Sequence, residues 1–215
     1  MTPAPVSVAV FVSGAGSNLQ ALLDGLAGST LARIARVVAS RSGIGAIDRA
    51  RRAGIAVTVL ADPDDAREVT AAAGDARLLV LAGYLKRVPA AAVARFRWRL
   101  VNIHPALLPA FGGPGMHGLR VHQAVLASGA TLSGVTVHYV DEEFDRGPMI
   151  AQWPVPVRPG DTPESLAARV LAVEHRVLPL VVLELARRGV PDEPVRLHAR
   201  RSTFVTGDQG EIELE

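Results

Sequence analysis

The sequence predicts an α/β protein with a Rossmann-like, mostly parallel sheet, helices on both faces and an antiparallel C-terminal extension. In the first hundred residues, short apolar runs alternate with segments of helical periodicity. A glycine-rich turn follows the first run, and strict apolar-polar alternation replaces this pattern after residue 104. Apolar strands that alternate with helices are typical of a parallel sheet covered on both faces.

The N-terminal half supplies the parallel part of this prediction. Residues 6–12 form a continuous apolar run, and after the turn at 13–18 leucines recur at helical spacing from Leu19 to Leu26. This order indicates a strand, a glycine turn and a helix. Three further strand and helix pairs are predicted, at 34–39 and 44–52, at 56–60 and 65–73, and at 78–82 and 90–96.

The second half begins with a buried strand at 100–104, whose carboxyl end carries Asn102 and His104. Open α/β sheets bind their ligands at this end of their strands. The alternating segments 133–140 and 149–157 predict an antiparallel pair. A capping sequence at 161–164 predicts a long helix toward Arg188, and a C-terminal hairpin is expected in the last twenty residues.

Length and composition favour one domain over residues 1–215, with a phosphate-binding half (6–104), a catalytic half (105–190) and a tail (191–215). The 23 basic and 21 acidic side chains give a formal charge of +2, which does not indicate nucleic-acid or membrane binding. The chain has no cysteine, and its first residues lack the pattern of a signal peptide. We therefore expect a cytoplasmic protein.

The glycine turn contains Gly14, Gly16, Ser17 and Asn18 between a strand and a helix. Backbone N–H groups and the positive end of the helix bind anions at such turns. The turn lacks the third glycine of a dinucleotide fingerprint and the Gly-Lys-Ser/Thr of a nucleotide triphosphatase loop, so one phosphate is the expected ligand. The alternative is a tight connection with an ordinary Ser or Asn cap.

Asn102, His104 and Asp145 are the candidate catalytic residues. An amide stabilises an oxyanion, an imidazole transfers protons near neutral pH, and a neighbouring carboxylate is expected to raise the imidazole pKa. These are the groups that acyl transfer to an amine requires. Because cysteine and a Gly-x-Ser-x-Gly elbow are both absent from the sequence, we expect direct transfer between two bound substrates.

Four motifs together resemble the formyltransferase family that uses 10-formyltetrahydrofolate, over residues 6–188. They are Ser-Gly-Ala-Gly-Ser-Asn-Leu-Gln at 13–20, Leu-Ala-Gly-Tyr-Leu at 81–85, Val-Asn-Ile-His-Pro-Ala-Leu-Leu-Pro at 101–109 and Asp-Arg-Gly-Pro at 145–148. The resemblance implies that 10-formyltetrahydrofolate is the co-substrate. The glycine-turn motif further implies transfer to the amine of glycinamide ribonucleotide, in purine biosynthesis.

The same resemblance implies roles for individual residues. Catalysis falls to Asn102, His104 and Asp145, with Thr136 and His138 supporting them. The implied binding residues are Gly16, Ser17 and Asn18 for the substrate phosphate, Glu174 for the ribose, and Arg67, Leu85, Lys86, Arg87, Val88 and Asn102 for the folate. No metal is implied, because the spacing of His117, His122 and His138 is not that of a metal site.

The chain departs from the family pattern at four places: a shortened stretch at 60–78, an apparent insertion at 112–115, Arg146 where glycine is common, and Thr136 in place of a frequent serine. Two alternative functions stay open. A 10-formyltetrahydrofolate hydrolase would use nearly the same catalytic residues, although such enzymes usually carry an additional N-terminal domain. A binding module without turnover is the non-enzymatic alternative. A monomer or a homodimer is expected.

Overall fold

The computed structural model describes residues 4–197, together with the backbone of residues 202–205 and 211–214. In chain order the elements are β1 (Val6–Val12), α1 (Ser17–Gly25), β2 (Ala32–Ala39), α2 (Gly45–Arg52), β3 (Ala56–Val59), α3 (Ala66–Ala73), β4 (Leu78–Leu81), α4 (Ala90–Arg95), β5 (Leu100–His104), α5 (Leu119–Ala127), β6 (Leu132–Tyr139), β7 (Met149–Pro156), α6 (Pro163–Arg187), β8 (Ser202–Val205) and β9 (Glu211–Leu214).

The main sheet has seven strands in the order β3-β2-β1-β4-β5-β6-β7. Strands β1 to β5 are parallel, whereas β6 and β7 add to the sheet as antiparallel strands. The predicted fold class is therefore confirmed. From β1 the chain adds β2 and β3 on one side of the sheet and then β4 and β5 on the other, so β1 and β4 flank a switch point. Open α/β sheets form their ligand crevice at such a point.

Two apolar layers cover the two faces of the sheet. Leu22 of α1 and Leu178 of α6 belong to one buried cluster, which also includes residues of α2 and α5. Val69 of α3 and Phe96, which ends α4, belong to the other. The central parallel strands β1, β4 and β5 are buried on both faces, which explains why their sequences are nearly continuous apolar runs rather than alternating ones.

The long helix α6 begins and ends close to the predicted positions. Thr162 accepts a hydrogen bond from the backbone of Ser165, whose side chain accepts one from the backbone of Thr162, so a reciprocal capping box begins the helix. None of the described helices is long and apolar enough to cross a membrane.

Helix α5 was not predicted. Its N-cap position is Gly118, which makes no side-chain capping hydrogen bond, so no start signal is visible in the sequence. At the C-terminus, β8 and β9 pair as antiparallel strands, in agreement with the predicted hairpin, although its turn at 206–210 lies outside the described residues.

Candidate active site

The carboxyl end of β5 meets β6 in a register that sets the catalytic centre. Asn102 lies opposite His138, and His104 lies opposite Thr136. His138 and Thr136 are fully buried or nearly so, and alternate positions on a strand face the same side of the sheet. Antiparallel pairing therefore brings side chains of both strands to one end of the parallel sheet.

Asp145, in the loop after β6, reaches both histidines. Its Oδ2 lies 3.6 Å from Nδ1 of His104, and its Oδ1 lies 3.5 Å from Nε2 of His138. The amide nitrogen of Asn102 is 3.1 Å from the same Nε2 of His138. The structure thus brings together Asn102, His104 and Asp145, with His138 between the amide and the carboxylate.

The hydrogen bonds of His138 set the orientation of the Asn102 amide. Nδ1 of His138 lies 2.8 Å from the carbonyl oxygen of Tyr139, which only accepts, so Nδ1 carries a proton. In the neutral ring Nε2 is then an acceptor, and Nδ2 of Asn102 donates to it. The second N–H of the same amide is left for a ligand, which is the geometry that an oxyanion donor needs.

His104 is 3% exposed, and its Nε2 lies 2.9 Å from the carbonyl oxygen of Phe111. Because that oxygen only accepts, Nε2 carries the proton and Nδ1 faces Asp145. Burial lowers the pKa of His104 by more than the charge of Asp145 raises it. The carboxylate does raise this pKa, as expected, but burial outweighs it, so the net shift is downward and the imidazole is neutral at neutral pH.

Asp145 is ionised at neutral pH. Burial alone would raise its pKa, but the proximity of His138 and His104 and the amide of Gly113 together lower it. Gly113 N donates to Oδ2 over 2.9 Å. Asp145 has a left-handed backbone with φ of 57°, which few residues other than glycine adopt. Position 147, two residues later, requires glycine, because a Cβ there would collide with the carbonyl oxygen of Tyr139.

These side chains line a cavity of about 660 Å³. The predicted folate segment, residues 85–88, and the loop 141–145 form two parts of its wall. Arg87 links these two parts, because its guanidinium donates to the carbonyl oxygen of Glu142 over 2.7 Å and lies 5.8 Å from the ring centre of Phe144.

Asn18 and Glu174 form the other end of the cavity, beside the glycine turn. Both are buried, and Nδ2 of Asn18 donates to Glu174 over 2.8 Å. Burial raises the pKa of Glu174 to about 7, although this hydrogen bond opposes the rise. Among residues 4–197, Oδ1 of Asn18 has no hydrogen-bond partner. The pair therefore offers oxygen atoms that accept hydrogen bonds, as ligand hydroxyls require.

The remaining predicted residues lie around this cavity or apart from it. Gly16 is the N-cap of α1, with φ of 78°, and Ser17 lines a neighbouring groove between α1 and α6. Thr136 is buried and fixes residues 106–108, because it donates to Ala106 O over 2.7 Å and accepts from Leu108 N over 3.0 Å. Arg67 lies exposed in the first turn of α3 and is not among the described residues that line the cavity.

Two contributors were missed by the sequence reasoning. His122 lines the cavity with 4% exposure, and its Nδ1 has no hydrogen-bond partner in the described part of the chain. The backbone groups of Phe111 and Gly113 contact His104 and Asp145, and backbone groups leave no signature in residue identity. Within residues 4–197, no cluster of three or more His, Asp or Glu side chains is arranged to hold a metal ion.

The sequence matches the formyl transferase family over residues 6–182. The chain belongs to the formyl transferase family. This match covers both the glycine turn and the catalytic cluster, and it ends within α6, eight residues after Glu174.

Named relatives and a solved structure agree with this family. The chloroplastic phosphoribosylglycinamide formyltransferase of Arabidopsis thaliana is 43% identical over 192 residues, which cover 84% of this chain but only 65% of that protein. The phosphoribosylglycinamide formyltransferase of Escherichia coli K12 is 38% identical and is covered to 85% of its length. The crystal structure of the phosphoribosylglycinamide formyltransferase from Anaplasma phagocytophilum superposes on this chain with a TM-score of 0.79 at 31% identity. The superposition covers 97% of this chain and 94% of that one.

Proposed function

We propose that the protein transfers the formyl group of 10-formyltetrahydrofolate to the amine of glycinamide ribonucleotide, in purine biosynthesis. The observation that carries this proposal is the convergence of Asn102, His104 and Asp145 at one cavity that Asn18 and Glu174 also line. The activity for which these relatives are named agrees with this chemistry.

In the proposed reaction, the neutral amine attacks the formyl carbon on N10 of the folate, and the carbonyl oxygen becomes an oxyanion. The free N–H of Asn102 donates to that oxygen, a contact that typically lowers the barrier by about 2.7–4 kcal/mol. Nε2–H of His104 is already bound to Phe111. Its neutral Nδ1, beside Asp145, is therefore suited to accept the proton of the attacking nitrogen, which then passes to N10 as the C–N bond breaks.

The same geometry supports the expected positions of the substrates. The ribose hydroxyls would donate to Glu174 and to Oδ1 of Asn18, while the phosphate would accept backbone N–H groups of Gly16 to Asn18 at the N-terminus of α1. The folate would lie between residues 85–88 and the loop 141–145. The roles of these residues, the oligomeric state and the cytoplasmic location stay predictions.

Release of tetrahydrofolate from 10-formyltetrahydrofolate, measured with and without glycinamide ribonucleotide, tests the proposal directly. We expect release that depends on the amine. Release without the amine would indicate a hydrolase, and saturable binding without release would indicate a binding module. The variant His104→Ala should lower turnover by about 10²–10⁴-fold. Wild-type turnover in correctly folded His104→Ala would refute the proposed role of the imidazole.

A further inference from the structure

We propose that the backbone of residues 111–113 is a positioning element that fixes the tautomer of His104 and the orientation of Asp145. The inference rests on the proposed function, because it concerns the geometry of the same two side chains. The segment overlaps the apparent insertion at 112–115, and it contacts both side chains through main-chain atoms.

The carbonyl of Phe111 determines which imidazole nitrogen is basic. It lies 2.9 Å from Nε2 of His104, and a carbonyl cannot donate, so the proton of the neutral ring is held on Nε2. Nδ1 is then the free base, and it lies 3.6 Å from Asp145. Phe111 has a left-handed backbone with φ of 56°, which turns the chain directly before Gly112.

The amide of Gly113 holds the carboxylate in place. It donates to Oδ2 of Asp145, the same oxygen that faces Nδ1 of His104. A hydrogen bond to an ionised carboxylate is stronger than one between neutral groups. The segment 111–113 therefore contacts Nε2 of His104 and Oδ2 of Asp145. The distance between the imidazole and the carboxylate depends on the backbone conformation of this segment.

Gly112 is the residue that allows this close approach. A Cβ at this position would lie 2.5 Å from Cδ2 of Leu108 and 3.0 Å from Cβ of Asp145. The φ of Gly112 is not in the left-handed region, so an alanine meets no backbone penalty there. Alanine at this position would act through displacement of Leu108, of Asp145 or of the segment itself.

Steady-state kinetics of Gly112→Ala tests the positioning role. We expect kcat to fall by about 10²-fold, as for other displacements of about 1 Å at a reacting centre, while KM for the ribonucleotide changes by less than about twofold. Gly129→Ala is the control for lost stability, because Gly129 lies after α5, outside the cavity lining: its φ of 72° strains an alanine backbone there, but the space around its Cβ position is open. Thermal unfolding of both variants separates loss of fold from loss of geometry.

The outcomes distinguish this inference from the proposed function. A wild-type protein without formyl transfer would overturn the function, whereas active wild type with equal kcat in Gly112→Ala and Gly129→Ala would overturn the positioning role. If Gly112→Ala does not fold, ¹⁵N NMR of the wild-type imidazoles decides instead, with His104→Gln used to assign the signal. We expect the neutral ring of His104 to carry its proton on Nε2, and a proton on Nδ1 would contradict the proposal.

Discussion

The cavity has two polar ends, the catalytic end and the glycine-turn end, and they differ in how their side chains are held by contacts within the protein. At the catalytic end, Asn102, His138, His104 and Asp145 each contact a defined protein partner. At the glycine-turn end, Asn18 and Glu174 share one hydrogen bond, and Oδ1 of Asn18 has none in the part of the chain that the structure describes. Unpaired buried polar atoms destabilise a folded protein, so the second arrangement is typical of a site that a ligand completes.

This difference indicates that the two ends contribute to function in different ways. A cluster whose side chains are each held by a protein partner keeps its geometry before the substrate arrives, so its loss should appear in turnover. An incompletely paired cluster gains its partners on binding, so its loss should appear in affinity and in proton uptake or release. The predictions below test this division.

Asp145→Asn should produce the largest effect. The variant retains an oxygen to accept the amide of Gly113 but loses the charge beside His104. We expect kcat to fall by about 10²–10⁴-fold with little change in ribonucleotide KM. Asp75→Asn is the control, because its carboxylate is exposed and its ion pair among the described residues is with Arg36. A rise in ribonucleotide KM as large as the fall in kcat would contradict the proposed separation of the two ends.

The parallel half of the fold follows closely from the sequence because its signals are local. The predicted strand at 100–104 coincides with β5, and the predicted helix at 44–52 differs from α2 by one residue. A continuous apolar run and a helical repeat each extend over fewer than ten residues, so no distant contact is needed to recognise them. The glycine turn was located for the same reason.

The electrostatics of the site could not be read from the sequence. The pKa of His104 depends on burial by residues far along the chain, and burial outweighs the nearby carboxylate. The contacts of Phe111 and Gly113 are made by main-chain atoms, which every residue possesses. The side chains of the catalytic cluster were therefore predictable from their motif, whereas the tautomer and charge of the imidazole required the three-dimensional structure.

Glu174 gives the second prediction, an intermediate effect on binding. Its pKa of about 7 means that ribose hydroxyls, which favour the ionised form, should displace a proton. Calorimetry at pH 6 in buffers of different ionisation enthalpy should therefore detect proton release when the ribonucleotide binds. Release should disappear at pH 9 and in Glu174→Gln. It should persist in Glu184→Gln, because Glu184 lies on the same helix but pairs with Arg187 at the surface.

The same carboxyl sets a pH dependence of stability. Its folded pKa of about 7 exceeds the ordinary value of 4.5, so its contribution is fully present below pH 4.5 and is lost as the pH rises through about 7. The complete loss is about 3 kcal/mol in the free energy of unfolding. Denaturant titrations of wild type and Glu174→Gln between pH 5 and pH 9 measure this difference. Identical pH profiles for the two proteins would show that Glu174 is ionised throughout.

Ser13 gives the smallest expected effect and tests whether the two ends act independently. Its Oγ accepts hydrogen bonds from Leu85 N over 3.0 Å and from Ser40 Oγ over 2.8 Å, so it joins the start of the glycine turn to the folate segment. Ser13→Ala leaves the amide of Leu85 without this acceptor. The loss of one such bond costs about 0.5–1.5 kcal/mol, and if this cost falls wholly on folate binding, folate KM rises by roughly 2- to 13-fold.

Ser40→Ala is the matched control for Ser13→Ala, because it removes the second hydrogen bond but leaves Leu85 bound to Ser13. If the ends are independent, Ser13→Ala raises folate KM and leaves ribonucleotide KM unchanged. Equal increases in both constants would mean that Ser13 transmits the state of one end to the other. In that case, the glycine turn would help to position the folate segment, residues 85–88, as well as bind the phosphate.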